Sequence, residues 1–222
     1  MSKKIMIAIP CADHLDVRFV KSLTDMLFRI PKDVAVAVQY HPGSLIYNAR
    51  NQLAKLAVDN EFDYILWLDS DMSFEADLLE KLLEDIDGKS FVSGLYFTRK
   101  PPKFKPTVFQ KCDIVQQDDE MGIEWEHVES VPSEMFEIKA CGFGCVLMKT
   151  SLVKDILEKR GLPFSPILGL GEDLSFCVKA RKTDPELKLW CDPKLIIGHV
   201  AQIVIGDQDM VNDWNLSCAE KA

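Results

Sequence analysis

Phe62–Ser73, FDYILWLDSDMS, is the stretch on which the reading of the whole chain turns. Tyr64–Leu68 is an unbroken apolar run with aromatic and β-branched members, short enough for a buried strand. It stops at two carboxylates, Asp69 and Asp71, with Ser70 between them. Residues i and i+2 of an extended chain point to the same side, so both carboxylates are expected to reach one point. Two carboxylates held that close repel unless a cation or a proton sits between them. A hard divalent ion suits them, with phosphate oxygens completing its shell. In open α/β sheets ligands bind just outside the carboxyl ends of the strands, where this pair falls. The plain structural alternative is a strand-end turn in which Asp71 or Ser73 caps a helix starting at Phe74.

On the N-terminal side, Lys4–Ile9 reads as a strand ended by Pro10, and Cys11–Asp16 as a polar loop. Val17–Ile30 carries apolar residues at helical spacing, Val34–Val38 is a second strand, and Leu45–Asn60 is a second helix with Ser44 as its candidate cap. The first half is therefore β-α-β-α-β, which implies a parallel sheet covered by helices. On the C-terminal side, Phe74–Ile86 reads as a helix and Phe91–Phe97 as a strand. Thr98–Pro106 has three prolines and four basic residues and is expected as an exposed loop, either a lid or a solvated connector. Thr107–Gln110 is a short strand, Cys112–Met121 a loop or hairpin tip, and Ile123–Val128 with Phe136–Ala140 antiparallel strands beside the main sheet. Val146–Met148 is strand-like, Thr150 or Ser151 opens a helix to about Arg160, and Gly161–Gly171 is loop. Glu172–Lys182 is helical, and Leu187–Cys191 and Leu195–Ile197 are short strands before His199. The fold class is α/β: an open mixed sheet with helices on both faces and a small antiparallel extension.

The 222 residues suit one domain, and 47% apolar content argues against disorder. Lys plus Arg number 26 against 35 Asp plus Glu, a net charge of −9, which opposes broad nucleic-acid binding. A local basic patch remains around Arg99–Lys105. Seven cysteines without CxxC spacing read as reduced thiols of a cytoplasmic protein. The apolar run of MSKKIMIAIP is too short for a signal peptide or a transmembrane segment, so neither is expected.

Three further constellations carry chemistry. Gly169–Arg181, GLGEDLSFCVKAR, puts Glu172 and Asp173 at a helix mouth after a glycine-rich loop. They either complement the helix dipole or supply a general base for an incoming hydroxyl. His199, in IIGHVAQ, is a satisfied histidine or a ligand that joins carboxylates on Mn²⁺ or a similar ion. Arg50, in the NARN of the second helix, is a solvated helix residue or a fork aimed at a diphosphate.

The IAIP strand and loop, the ARN of helix two, LWLDSDM, CGFGCVLM, GED and a late histidine occur in this order over about residues 4–200. Together they resemble a GT-A-fold (Rossmann-like) glycosyltransferase, close to glycosyltransferase family 2, with its DxD. The resemblance implies that Pro10, Cys11, Ala12 and Asp13 border the base and ribose and that Arg50 approaches the diphosphate. Asp69 contacts the ribose or the metal, with Ser70 beside it on the nucleotide sugar. Asp71 binds Mn²⁺ or Mg²⁺, with His199 as a further metal ligand. Gly142 and Gly144 lie near the donor sugar or acceptor, Glu172 orients substrate, and Asp173 is the base if the enzyme inverts. One GT-A-like domain then spans 1–222, with a nucleotide-sugar half to about 97, an acceptor half over about 98–205 and a tail over 206–222. Many family members read the base with an acidic residue after the second strand, where this chain has Gln39–Tyr40–His41.

The expected activity is metal-dependent transfer from a nucleotide-diphosphate-sugar, a UDP-sugar first, to a hydroxyl acceptor. The alternatives are a nucleotide-sugar hydrolase or nucleotidyltransferase, a phage-type enzyme glycosylating modified DNA bases, and a non-catalytic sugar-nucleotide-binding module. Pro10–Leu15 has neither the glycine nor the lysine that a nucleotidyltransferase's triphosphate loop needs. The net charge opposes the DNA enzyme, and the acidic pair and candidate base oppose the non-catalytic module.

Overall fold

The computed structural model describes residues 2–43, 45–99, 104–117 and 120–201. In chain order its elements are β1 (Lys3–Cys11), α1 (Val17–Leu27), β2 (Val34–Pro42), α2 (Ile46–Asp59), β3 (Tyr64–Leu68), β4 (Met72–Ser73), α3 (Leu78–Asp85) and β5 (Phe91–Leu95). There follow β6 (Val108–Gln117), β7 (Glu120–His127), β8 (Phe136–Ile138), β9 (Ala140–Cys141), β10 (Cys145–Lys149), α4 (Thr150–Arg160), α5 (Glu172–Thr183), β11 (Leu189–Ile196) and β12 (Gly198–His199).

Seven strands form the main sheet in the order β2-β1-β3-β10-β5-β11-β8. β1 is parallel to both β2 and β3, as the opening alternation implies. β10 then enters antiparallel between β3 and β5, which makes the sheet mixed. Each central strand is buried on both faces. Along β1, Ile5, Ile7 and Ile9 join α1 and α3 in one core, while Met6 and Ala8 join α2, α4 and α5 in the other. β3 divides in the same way, Leu66 and Leu68 to the first core, Ile65 and Trp67 to the second. This double burial explains the unbroken apolar run of β3. A three-stranded sheet, β7-β6-β9, is the antiparallel extension.

Several boundaries differ from the sequence expectations. β1 runs through Pro10 to Cys11. Cys11 turns its carbonyl to Gly43 on the β2 side, so Pro10 faces the β3 side, where pairing has ended at Ala8. No ladder bond is lost to its missing N–H. α3 starts at Leu78, because Met72–Ser73 is taken up by pairing with β12. Ser73 is thus a strand residue and no cap, and the Phe74 N–H goes to Ser22 Oγ on α1 at 2.9 Å. Of Cys112–Met121, expected as a loop or hairpin tip, Cys112–Gln117 and Glu120–Met121 are paired strand residues of the β6–β7 hairpin. Cys112 joins the core and Ile114 packs against it, with Asp113 between them, a period of two that the acidic composition conceals. The two short strands after Leu187 are one, β11, with a register shift between Asp192 and Ile196. The expected Ser44 cap, the centre of the Thr98–Pro106 loop and the 206–222 tail lie outside the described residues. Among the described residues no helix is long and apolar enough to cross a membrane.

Candidate active site

The carboxyl ends of β1 and β3 open onto a cleft of about 370 Å³. Pro10, Cys11 and Ala12 line it from β1 and the loop beyond. Asp69, Ser70 and Asp71 line it from the end of β3, and Tyr96, Arg99 and His199 close the far side. Asp13 is exposed and is not part of this lining.

The acidic pair does not sit on extended chain. After Leu68 the backbone turns, with the Met72 N–H returning to the Asp69 carbonyl at 3.2 Å, and β4 begins at once. The two carboxylates share the cleft but divide their partners. Asp69 takes a 2.8 Å ion pair from Arg50 Nη2. Asp71 Oδ2 lies 2.7 Å from Arg99 Nη1 and 3.6 Å from His199 Nε2. Burial pushes the Asp69 carboxyl up, against the pull of Arg50 and with a further push from Asp71. Burial acts on Asp71 in the same sense but is outweighed, so His199 and Arg99 hold its carboxyl below the usual range.

β12 carries His199, and its pairing with β4 brings the imidazole to Asp71. His199 Nδ1 is 2.8 Å from the Phe97 carbonyl. A carbonyl only accepts, so Nδ1 carries the proton, and Nε2 is the nitrogen that faces Asp71. The ring is further held by the edge of Tyr96, 5.4 Å between centroids. A histidine whose far nitrogen is fixed by a carbonyl is the usual arrangement of a metal ligand. Two ligands about 2.0–2.2 Å from one ion lie roughly 3–3.6 Å apart, a range that includes the Asp71–His199 separation. Among the described residues no three His, Cys, Asp or Glu side chains form a ready metal cage. One carboxylate and one imidazole suit an ion that takes its remaining ligands from water and substrate phosphates, as Mg²⁺ commonly does. The donor set fits a divalent ion on Asp71 and His199, with Asp69 turned instead to Arg50.

Arg50 does not line the cleft but lies directly behind Asp69, which does. It is 1% exposed, in the middle of the fold. Its guanidinium lies over Trp67, Phe143 and Phe164 at 5.5–5.9 Å from the ring centroids. Nη2 holds Asp69, and Nε donates to Glu172 Oε1 at 3.3 Å. Burial opposes its charge, but Asp69, Glu172 and Asp173 together outweigh that and raise its pKa. Arg50 is thus the hub that ties the end of β3 to the mouth of α5. Its neighbour Asn51 accepts the Phe164 N–H at 2.9 Å and pins the loop that leads to α5.

Glu172 and Asp173 open α5, as the sequence implies, but neither lines the cleft itself. Asp173 accepts the N–H of Leu174 at 2.7 Å. Burial and the neighbouring Glu172 push its carboxyl up to about 6. Gly142 and Gly144 are buried behind the cleft and do not line it. A Cβ on Gly142 would stand 2.0 Å from Tyr96 Oη, and one on Gly144 2.4 Å from Met72 Cε. The Gly144 N–H donates to Tyr96 Oη at 3.1 Å, and its carbonyl receives the Asp69 N–H at 3.2 Å. These glycines let the β9–β10 turn support Asp69 from below. Tyr96 went unrecognised in the sequence, where it is one more aromatic in an apolar strand. Arg99 stood out there only as part of a basic loop.

No protein-family model matches the chain. No curated protein matches it either. Solved structures do. A197 from STIV is similar with a TM-score of 0.58 at 17% identity, over 91% of this chain and 87% of that one. GalNAc-T7, solved with UDP, GalNAc and Mn²⁺, is similar with a TM-score of 0.59 at 11% identity, over 91% of this chain and 44% of that one. This chain thus spans less than half of that structure's length. The fold is GT-A-like, that of glycosyltransferases, as the resemblance of the motifs implies.

Proposed function

We propose that this chain is a metal-dependent glycosyltransferase that moves a sugar from a nucleotide-diphosphate-sugar to an acceptor hydroxyl. The observation that carries the reading is the meeting of Asp71 and His199, with Nδ1 of the imidazole fixed on the Phe97 carbonyl, at the carboxyl edge of a GT-A-like sheet. A neighbour of the same fold, GalNAc-T7, is solved with UDP, GalNAc and Mn²⁺, which makes a UDP-sugar the first donor to test. Asp71 and His199 would hold Mn²⁺ or Mg²⁺. When bound, that ion supplies positive charge to the departing diphosphate.

Pro10, Cys11 and Ala12 border the base and ribose, with Ser70 across the cleft from them. Asp69, held by Arg50, keeps an oriented carboxylate for the ribose. Glu172, on the same guanidinium, orients the sugar or acceptor. Asp173 takes the proton of the acceptor hydroxyl. A base titrating near 6 is ionised at neutral pH yet basic enough to accept a proton in the transition state. Attack opposite the leaving group then inverts the anomeric centre. The half up to about residue 97 holds most of the donor, and the half beyond it adds His199 to that site and serves the acceptor. Cys11, Cys112, Cys141, Cys145, Cys177 and Cys191 are free thiols, which favours a reducing, cytoplasmic setting.

The test is a thermal-shift screen of UDP-, GDP-, CMP- and dTDP-sugars with and without Mn²⁺, on wild type and Asp71→Asn. A donor at 100 times its Kd stabilises the fold by about 2.7 kcal/mol. The reading expects one donor class to stabilise wild type only with Mn²⁺, and Asp71→Asn to lose that response while still folding. Metal-independent stabilisation that survives Asp71→Asn would reject it.

A further inference from the structure

With Arg50 buried beneath Asp69, the positive charge for the diphosphate has to come from elsewhere. Among the described residues lining the cleft, Arg99 is the sole arginine or lysine. It also lines an adjoining cavity of about 450 Å³ with Ala12, His14, Ser70 and Asp71. Its guanidinium is half-exposed and rests on two oxygens, Asp71 Oδ2 at 2.7 Å and the Val200 carbonyl at 3.2 Å. Asp71 is the carboxylate that, with His199, fits a divalent ion. The side chain therefore sits where a cation would.

The base of its loop is fixed. Phe97 and Pro106 form a bridge, the Thr98 N–H donates to the Lys105 carbonyl at 2.8 Å, and the Lys105 N–H returns to Thr98 Oγ1 at 3.1 Å. Arg99 is the first residue beyond that clasp. It can leave Asp71 by side-chain rotation without unpairing the strand ends. A guanidinium offers a planar fork of donors that matches phosphate oxygens, which a carbonyl and a single carboxylate oxygen use only in part.

The charges point the same way. Asp69 already has Arg50, which it shares with Glu172. A divalent ion on Asp71 with the doubly charged diphosphate of a nucleotide sugar leaves one negative charge over, and one more forms on the diphosphate as the sugar departs. Arg99 displaced from Asp71 supplies the missing unit at the place where charge develops.

We propose that Arg99 is the diphosphate-binding residue of this site and that Asp71 stores it in the free protein until a divalent ion takes its place. The proposal rests on the metal-dependent reading of Asp71 and His199. It gives one side chain opposite effects on two ligands: it competes with the metal and cooperates with the diphosphate.

The experiment compares wild type, Arg99→Ala, Arg99→Lys and Asp71→Asn. Mn²⁺ binding alone is followed by electron paramagnetic resonance. Inorganic pyrophosphate, which needs no base recognition, is titrated by calorimetry at saturating Mn²⁺. Removing a half-exposed competitor should tighten Mn²⁺ binding by about two- to fivefold in Arg99→Ala. The same variant should weaken pyrophosphate by about tenfold or more, as expected for lost hydrogen bonds between charged groups. Arg99→Lys, with charge but no fork, should fall between. An unchanged or weaker Mn²⁺ affinity in Arg99→Ala overturns the proposal, as does unchanged pyrophosphate affinity or no uptake by wild type. If Mn²⁺ binds wild type and is lost in Asp71→Asn while Arg99→Ala alters neither affinity, the metal reading stands and this proposal alone falls. If neither wild type nor Arg99→Ala binds Mn²⁺, both fall.

Discussion

Replacing Arg50 by Met keeps most of the side-chain volume and removes the charge at the hub. Asp69 then loses a 2.8 Å partner and Glu172 a 3.3 Å partner, and Asp173 loses a nearby positive charge. Removing one member of a buried ion pair costs about 3–5 kcal/mol, because the other charge stays buried and uncompensated. Two features favour the lower end. Asp69 and Glu172 keep 21% and 17% side-chain exposure, and the burial cost of the guanidinium itself disappears. The expectation is a loss of about 3 kcal/mol at pH 8. The pH dependence follows from the carboxylates. Burial already raises the carboxyls of Asp69 and Asp173, and without Arg50 both rise further, so the unfolded state holds fewer protons than the folded one across that window. Stability of the variant then falls as pH rises through it and recovers as pH drops. At pH 5 the deficit relative to wild type should shrink to about half. Urea denaturation of both proteins at pH 5 and pH 8 measures this, with the slope of the transition checked for two-state behaviour. A deficit under about 1 kcal/mol at pH 8, or an equal deficit at both pH values, would refute the claim that Arg50 holds the acidic residues together.

Asp173→Asn should leave Mn²⁺-dependent donor binding intact while lowering transfer by about 10²–10⁴-fold. The wild-type rate should show an acid limb near pH 6 that the variant lacks; an unchanged pH–rate profile would remove Asp173 as the base. Gly142→Ala puts a methyl 2.0 Å from Tyr96 Oη and should cost about 1–3 kcal/mol by overpacking, with part recovered in Gly142→Ala/Tyr96→Phe. Melting curves that show no loss, or no rescue, would deny the contact. Asp85 is pushed up to about 6 by burial and by Asp192, so its folded state keeps a proton that the unfolded chain releases nearer 4. Stability therefore falls as pH climbs from about 4 through 6. Asp85→Asn should gain about 1–2 kcal/mol at pH 8, discounted for partial exposure, and nothing at pH 4. Equal melting shifts at the two pH values would speak against a proton kept on Asp85.

What the sequence showed and what it hid divide along one physical line. β3 is legible because burial on both faces leaves an apolar run that no surface element tolerates. The opening β-α-β-α-β order is legible because each helix and strand writes its own period. Arg50 is a different matter. An arginine on a helix is ordinarily solvated, and only Asp69, Glu172 and three aromatic rings from other elements turn this one inward. The division of Asp69 from Asp71 is hidden for the same reason. Whether the chain stays extended after Leu68 depends on Met72–Ser73, and those residues are claimed by Gly198–His199 from the far end of the sequence. The same pairing brings His199 to Asp71, so the contact that proposes a metal and the turn that breaks the symmetry of the acidic pair have a common cause. A strand register therefore decides the chemistry. A change that weakened β4–β12 pairing should disturb metal affinity and the Asp71–Arg99 contact together, even with every candidate ligand in place.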